Sequence, residues 1–275
     1  MASPCECLIE SKDIATARAV MQLVSQETAR IEQKYSRYRQ DNLCFQINHS
    51  NGASVPIDSE TYQLLLFADS CFKSSDGLFD ITSGVLRKVW HFQPGATLPT
   101  QAQIATLLPY IGWSKVTFSE HHVCLPPGFE IDFGGIGKEY AVDRCAQILS
   151  HHFPALAVLL NFGGDLRTTI APQTRVAWHI GVDCKVPDLT RMVELRSGGV
   201  CTSGSTERYL MVDGKRYSHI LNPQTGYAVS DAPLTVTVLS DQCLSSGLLA
   251  TLAMLHGQDA EAFLQQQAVK YFIQW

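Results

Sequence analysis

The sequence predicts an α+β fold with a ligand cleft, on three observations. Apolar residues recur at helical spacing in the first third, and the second half alternates short apolar runs with turn residues. No linker, repeat or low-complexity tract divides the 275 residues, so at roughly 100–200 residues per domain the whole of 1–275 reads as one large domain. A chain of this length has apolar surface enough to fold without disulfides or a structural metal.

Residues 4–10 read as a strand. Ile14, Ala17, Met21, Val24 and Ile31 then mark one face of a helix running to Tyr35. The polar stretch from Ser36 reads as irregular as far as Asn48, and a second helix opens at Asp58 and runs to about Lys73. Thr100-Gln-Ala-Gln103, just before Ile104 and Leu107, fits a capping box, in which each side chain bonds the other's backbone N–H. Phe129 to Phe133 reads as a strand, followed by glycines and a helix from about Lys138 to Ser150. The unbroken apolar run from Ala155 to Phe162 predicts a buried strand. Glu207–Val212, then Asp213-Gly214, then Lys215–Leu221 predicts a hairpin closed by a type I′ turn. Alternation at Leu234, Val236 and Val238 predicts another strand, and Ser245 to His256 a final apolar helix.

Composition excludes several function classes. Lys and Arg number 21 against 26 Asp and Glu, a net charge of −5 with no basic run, which argues against nucleic-acid binding. No apolar stretch approaches the ~18 residues of a membrane span. Nine cysteines without a CxxC pair indicate neither a disulfide framework nor a zinc ribbon. With no basic, apolar leader at the start, a cytoplasmic location is the expectation.

Five segments carry candidate chemistry. Asp132-Phe-Gly-Gly-Ile-Gly-Lys-Glu-Tyr140 leads from a strand end through Gly134, Gly135 and Gly137 into a helix that begins with Lys138. Unpartnered N–H groups at a helix start bind phosphate, although glycines also serve close strand–helix packing. The spacing fits neither a Walker loop nor a dinucleotide fingerprint. Asn161-Phe-Gly-Gly-Asp165 repeats the pattern, as a cleft edge or as an ordinary turn. Thr202-Ser-Gly204 is a third small-residue turn and lacks the glycine that a nucleophile elbow needs before Ser203. His219 precedes the Asn222-Pro-Gln-Thr-Gly226 turn, as a structural residue or a base, while Gly77-Leu-Phe-Asp80 either presents Asp80 or buries Phe79.

Taken in order, these segments resemble the ApbE-type FAD:protein FMN transferases from Met1 to Gly257. The matching stretches are Met1-Ala-Ser-Pro, Ser36-Arg-Tyr-Arg-Gln-Asp-Asn with Asn48, Gly77–Thr82, Asp132–Asp143, Asn161–Asp165, Thr202–Gly204 and His219–Gly226. The resemblance implies an ApbE-like domain of mixed and antiparallel sheets packed with helices around an FAD cleft. It also implies a reaction in which a Ser or Thr of an acceptor flavoprotein attacks the FMN-side phosphorus of FAD and AMP leaves. Gly134, Gly135, Gly137 and Lys138 would then hold the pyrophosphate. Asn161, Gly163, Gly164, Asp165, Thr202, Ser203 and Gly204 would line the flavin and adenine portions, and His219 would activate the hydroxyl. Met1, Ser36, Arg37, Tyr38, Phe79, Asp80, Asp143 and Arg208 join them as flavin-binding positions. Mg²⁺ would use the Gly137 carbonyl and Thr251.

The chain departs from the family pattern at three places. Gly247 stands where the family carries the metal-binding Asp, Asn222 where it has Asp, and Glu139 where many members have glycine. Mg²⁺ prefers an octahedron of oxygens with carboxylates or phosphates among them, so the first departure weakens the expected site, and Glu139 is a candidate replacement. Two alternatives stay open beside transfer. One is an FAD carrier that has lost its chemistry; the other is hydrolysis of FAD to FMN and AMP.

Overall fold

The computed structural model describes residues 3–93, 95–186, 189–206 and 208–275, so Met1 and Glu207 lie outside the described residues. In chain order the first half holds β1 (Cys5–Ile9), α1 (Ile14–Tyr35), α2 (Leu43–Asn48), β2 (Ser54–Pro56), α3 (Ser59–Ser74), α4 (Gln101–Leu107), β3 (Thr117–Phe118) and β4 (His122–Cys124). Then come α5 (Gly137–His152), β5 (Val158–Phe162), β6 (Asp165–Thr168), β7 (Trp178–Val186), β8 (Leu189–Leu195) and β9 (Gly199–Gly204). The rest is β10 (Tyr209–Val212), β11 (Lys215–Ser218), β12 (Thr235–Ser240), α6 (Cys243–Leu255), α7 (Ala260–Gln265) and β13 (Lys270–Gln274).

A six-stranded sheet in the order β1-β5-β6-β9-β12-β13 organises the molecule, and its described pairings are all antiparallel. Helices α5 and α6 pack on one face and α1 packs outside α5. The β7–β8 hairpin covers the other face through Trp178, Ile180, Val193 and Leu195. A strand alternates its side chains between faces, which explains the apolar run of β5. Val158, Leu160 and Phe162 enter the helix-side core, while Leu159 joins the hairpin side.

Local chemistry fixes most helix ends where the sequence predicts them. Asp13 accepts the N–H groups of Ala15 and Thr16 ahead of α1, Asp58 caps α3, and the Thr100–Gln103 box is closed in both directions. Asp213 (φ 51°) and Gly214 (φ 74°) adopt the left-handed pair that a type I′ hairpin needs. The buried stripe of α1 is Val20, Val24, Glu27, Ile31 and Tyr35, whereas Ile14 and Met21, expected on that stripe, are exposed.

Two sequence expectations are corrected. Phe129–Asp132 belongs to no sheet and Phe133 already opens a 3₁₀ turn; the Ile81 carbonyl accepts Asp132 N–H, and the backbone of Ile131 is served by the Asn48 side chain. Its Oδ1 accepts Ile131 N–H at 2.7 Å and its Nδ2 donates to the Ile131 carbonyl at 3.0 Å. The stretch read as irregular up to Asn48 ends in α2, whose cap is Asn42 accepting Phe45 N–H at 2.8 Å. Among the described residues no helix is long and apolar enough to cross a membrane.

Candidate active site

The start of α5 is where the sheet, α6 and the glycine loop meet. Asp132 caps the short 3₁₀ turn Phe133–Gly135, accepting Gly134 N–H at 2.9 Å, and its other oxygen is paired with Arg37. Arg37 is thereby tied to the loop, and it also donates to the Gly84 carbonyl at 3.2 Å. Helix α5 then opens at Gly137 with no side-chain cap, so its first N–H groups offer an anion site with the helix dipole behind them. Gly135 packs against the Phe79 ring: a Cβ there would lie 3.3 Å from it.

The next two residues of α5 meet the β5–β6 turn. Lys138 Nζ lies 2.6 Å from Oδ2 of Asp165, which is 2% exposed. Burial works against the Lys138 charge, yet the Asp165 carboxylate outweighs it and holds the ammonium above its ordinary pKa. The turn is tight at Gly163 (φ 60°) and Gly164 (φ 93°), both left-handed. Asn161 fixes it, accepting Gly164 N–H at 2.9 Å while donating to Glu6 at 3.0 Å.

Glu139 turns inward beside Asp165 and is 8% exposed. Burial first and the Asp165 charge second push its carboxyl well above the usual carboxylate range. Oε2 of Glu139 accepts no hydrogen bond among the described residues. The side chain lies against α6 at Gly247, where a Cβ would fall 2.6 Å from Glu139 Cγ. One helical turn on, Thr251 Oγ1 is 3.4 Å from Ser203 Oγ of β9. Thr202 bonds Thr237 across the strands at 2.8 Å, and Gly204 closes β9 against the Leu234 carbonyl.

His219 follows β11 and is held by one carbonyl, that of Arg208, which accepts its backbone N–H at 3.2 Å and its Nδ1 at 3.1 Å. A carbonyl only accepts, so Nδ1 carries the proton and the neutral ring presents Nε2 as a base. The residue is exposed, with Phe92 edge-on to its ring at 6.3 Å. Its protein surroundings first, with the charges of Arg208 and Lys138, set its pKa below the ordinary value. Asn222 accepts the N–H groups of Gln224 and Thr225 and so builds the following turn with an amide oxygen.

The other positions expected at the site have the following settings in the fold. Tyr38 is 80% exposed, and Ser36 ends α1 with its carbonyl accepting from Asn42. Phe79 is core. Asp80 is buried, taking Thr82 N–H and Oγ1 on one oxygen and Trp113 N–H on the other. Asp143 accepts Cys243 N–H at 3.0 Å and Leu244 N–H at 2.9 Å and pairs with Arg167, so it caps α6 from α5. The Phe92–His219 contact and the Glu139–Gly247 contact have no local sequence signal, being made between distant segments.

Comparisons with known proteins bear on the family and the fold. A family model described as the ApbE family matches residues 1–273. The chain belongs to the ApbE family. This ApbE-family chain is 30% identical over 260 residues to a Klebsiella pneumoniae protein named FAD:protein FMN transferase, covering 92% of this chain and 79% of that one. A protein of the same name from Escherichia coli K12 is 26% identical over 240 residues, 83% of this chain and 68% of that one. The crystal structure of the ApbE protein of Thermotoga maritima matches with a TM-score of 0.90 at 30% identity, over 98% of this chain and 90% of that one. The ApbE fold is therefore the antiparallel sheet flanked by α5 and α6, with the glycine loop at its mouth.

Proposed function

We propose that this chain, acting as one domain over residues 1–275, is a FAD:protein FMN transferase. FAD is its substrate, and a flavoprotein with an accessible Ser or Thr is its acceptor. The observation that carries the reading is the uncapped start of α5, with Lys138 paired to Asp165 beside it and His219 presenting a free Nε2 from its anchor on the Arg208 carbonyl. Family membership supports it.

Phosphoryl transfer needs positioning and charge neutralisation more than covalent help from the protein. The α5 amides and Lys138 bind pyrophosphate oxygens. His219 Nε2 takes the proton of the acceptor hydroxyl as its oxygen bonds the FMN-side phosphorus, and the phosphoanhydride bond breaks to release AMP. The base is held by a backbone carbonyl, so its direction does not depend on a second side chain. Bound Mg²⁺ supplies further neutralisation of pyrophosphate charge, and Glu139, Asp165 and Thr251 are oxygen donors suited to it. The orphaned Glu139 oxygen is the feature that fits a cation, although no group of three His, Cys, Asp or Glu side chains gathers among the described residues. A reducing, cytosolic compartment suits the described cysteines, all free thiols, of which Cys201 and Cys243 stand 3.2 Å apart.

The test incubates the protein with FAD and an acceptor domain in Mg²⁺ or EDTA and reads flavin fluorescence of the acceptor on a denaturing gel. The expected result is a labelled band that needs Mg²⁺ and falls about 10²–10⁴-fold in His219→Ala with FAD binding retained. AMP release without labelling would instead mean hydrolysis. Intact bound FAD, with an acceptor that the Klebsiella pneumoniae relative labels, would mean a carrier.

A further inference from the structure

We infer that Glu139, reaching from α5 across the side-chain-free face of Gly247 in α6, supplies the carboxylate with which this chain binds a divalent cation at its pyrophosphate site. The inference rests on the transferase reading and names the residue that makes a cation site possible in this chain. Three observations carry it. Glu139 is 8% exposed and its Oε2 is without a hydrogen-bond partner among the described residues, a costly arrangement for a side chain that only fills space. It stands beside Asp165, and the described salt bridge of Lys138 is made to Asp165 at 2.6 Å and not to Glu139. Thr251 lies one turn from Gly247 on the same helical face, with Ser203 3.4 Å from it, so hydroxyls and carboxylates converge from α5, β6, β9 and α6.

The contact with Gly247 gives this arrangement its particular form. A Cβ at position 247 would lie 2.6 Å from Glu139 Cγ and 3.0 Å from Oε1, so the two positions cannot both carry a side chain without movement. A carboxylate placed on α6 at 247 would enter the volume that the Glu139 carboxylate fills. Glutamate at 139 and glycine at 247 are thus a matched pair: the longer side chain crosses from α5 into room that glycine leaves open on α6.

The test measures Mn²⁺ binding to the FAD-loaded full-length protein by the EPR signal of free ion, with Mg²⁺ as competitor, on wild type, Glu139→Gln, Gly247→Asp and the double variant Glu139→Gly with Gly247→Asp. Glu139→Gln is expected to weaken Mn²⁺ binding by at least the 10–100-fold that loss of a partner around a metal costs, with metal-free FAD binding in EDTA as the control for folding. Gly247→Asp alone is expected to lower the melting temperature, and the double variant to regain both stability and Mn²⁺ affinity. If Glu139→Gln fails to fold, the double variant decides. Wild-type Mn²⁺ affinity in folded Glu139→Gln, or a folded double variant that binds FAD but no Mn²⁺, overturns the inference while leaving metal-dependent transfer standing. Wild-type protein that binds no Mn²⁺ and labels its acceptor in EDTA overturns both the inference and the Mg²⁺ requirement.

Discussion

Glu60 and Glu139 are two acidic residues in first helical turns, and their surroundings differ in kind. Glu60, on α3, accepts from Arg30 at 2.6 and 2.8 Å, from Lys34 at 2.6 Å and from Tyr140 at 2.7 Å. Glu139, the residue just before that tyrosine, accepts nothing at Oε2 among the described residues. Adjacent residues of a helix point about 100° apart, so α5 sends Tyr140 outward to the α1–α3 network and Glu139 inward to the cleft. A carboxylate whose lone pairs are filled by the protein is committed to the fold. One that is buried beside another carboxylate with a lone oxygen is held ready for something the fold does not contain, at a cost in stability.

The cleft side should show the largest functional effects. His219 has its pKa below the ordinary value of 6.5, so it is neutral and able to accept a proton at pH 7. The acid limb of kcat/KM for FMN transfer is therefore expected below pH 6.5, falling as the ring protonates; a limb lying above that value would remove His219 as the base. On the fold side the largest effect belongs to Asp143, which caps α6 and pairs with Arg167. Asp143→Asn leaves that arginine without its charge partner and is expected to cost about 3 kcal/mol in urea unfolding. Because α6 carries Thr251, transfer should weaken with it, and the loss should shrink when FAD is saturating.

How much of this was legible in the sequence follows the range of each interaction. Caps and tight turns are local, so Asp58, the Thr100 box and the Asp213-Gly214 turn could be read from a few neighbours. Asn48 satisfying the backbone of Ile131 is a contact between segments far apart in the chain, and it falls in the stretch expected as a strand. The site divides the same way. The glycine loop and the Asn161–Asp165 turn announce themselves by composition, and Thr251 and His219 by resemblance. Yet sequence motif alone did not separate Asp80 and Asp143, whose oxygens are filled inside the fold, from Asp165, which faces Lys138 and Glu139. That distinction lives in tertiary hydrogen bonding.

Glu60→Gln tests the filled side of the comparison at intermediate size. Despite burial, the Arg30, Lys34 and Tyr140 bonds hold the Glu60 carboxyl far below the usual range. A group depressed in the folded state contributes stability that is complete above its unfolded pKa, near 4.5, and fades as pH falls through the folded value. Wild type should therefore exceed Glu60→Gln by about 1–3 kcal/mol at pH 7, the range for hydrogen bonds to charged groups, and the gap should close in acid. A gap that persists unchanged at low pH would mean that packing, and not charge, accounts for it.

The smallest effect is the most discriminating because its sign is opposite. In EDTA at pH 9, above the value of about 8 to which burial and the Asp165 charge raise the Glu139 carboxyl, Glu139→Gln removes a buried charge that no hydrogen bond among the described residues satisfies at Oε2 and relieves its repulsion with Asp165, while the amide keeps the shape. The expected change is a gain of about 1 kcal/mol or less, within the ordinary range for single substitutions, read as a slightly raised melting temperature. Added Mg²⁺ should then raise the melting temperature of wild type more than that of the variant, since a ligand stabilises only the state that binds it. A variant less stable than wild type in EDTA would show that Glu139 supports the fold as Glu60 does, and the contrast between the two would collapse.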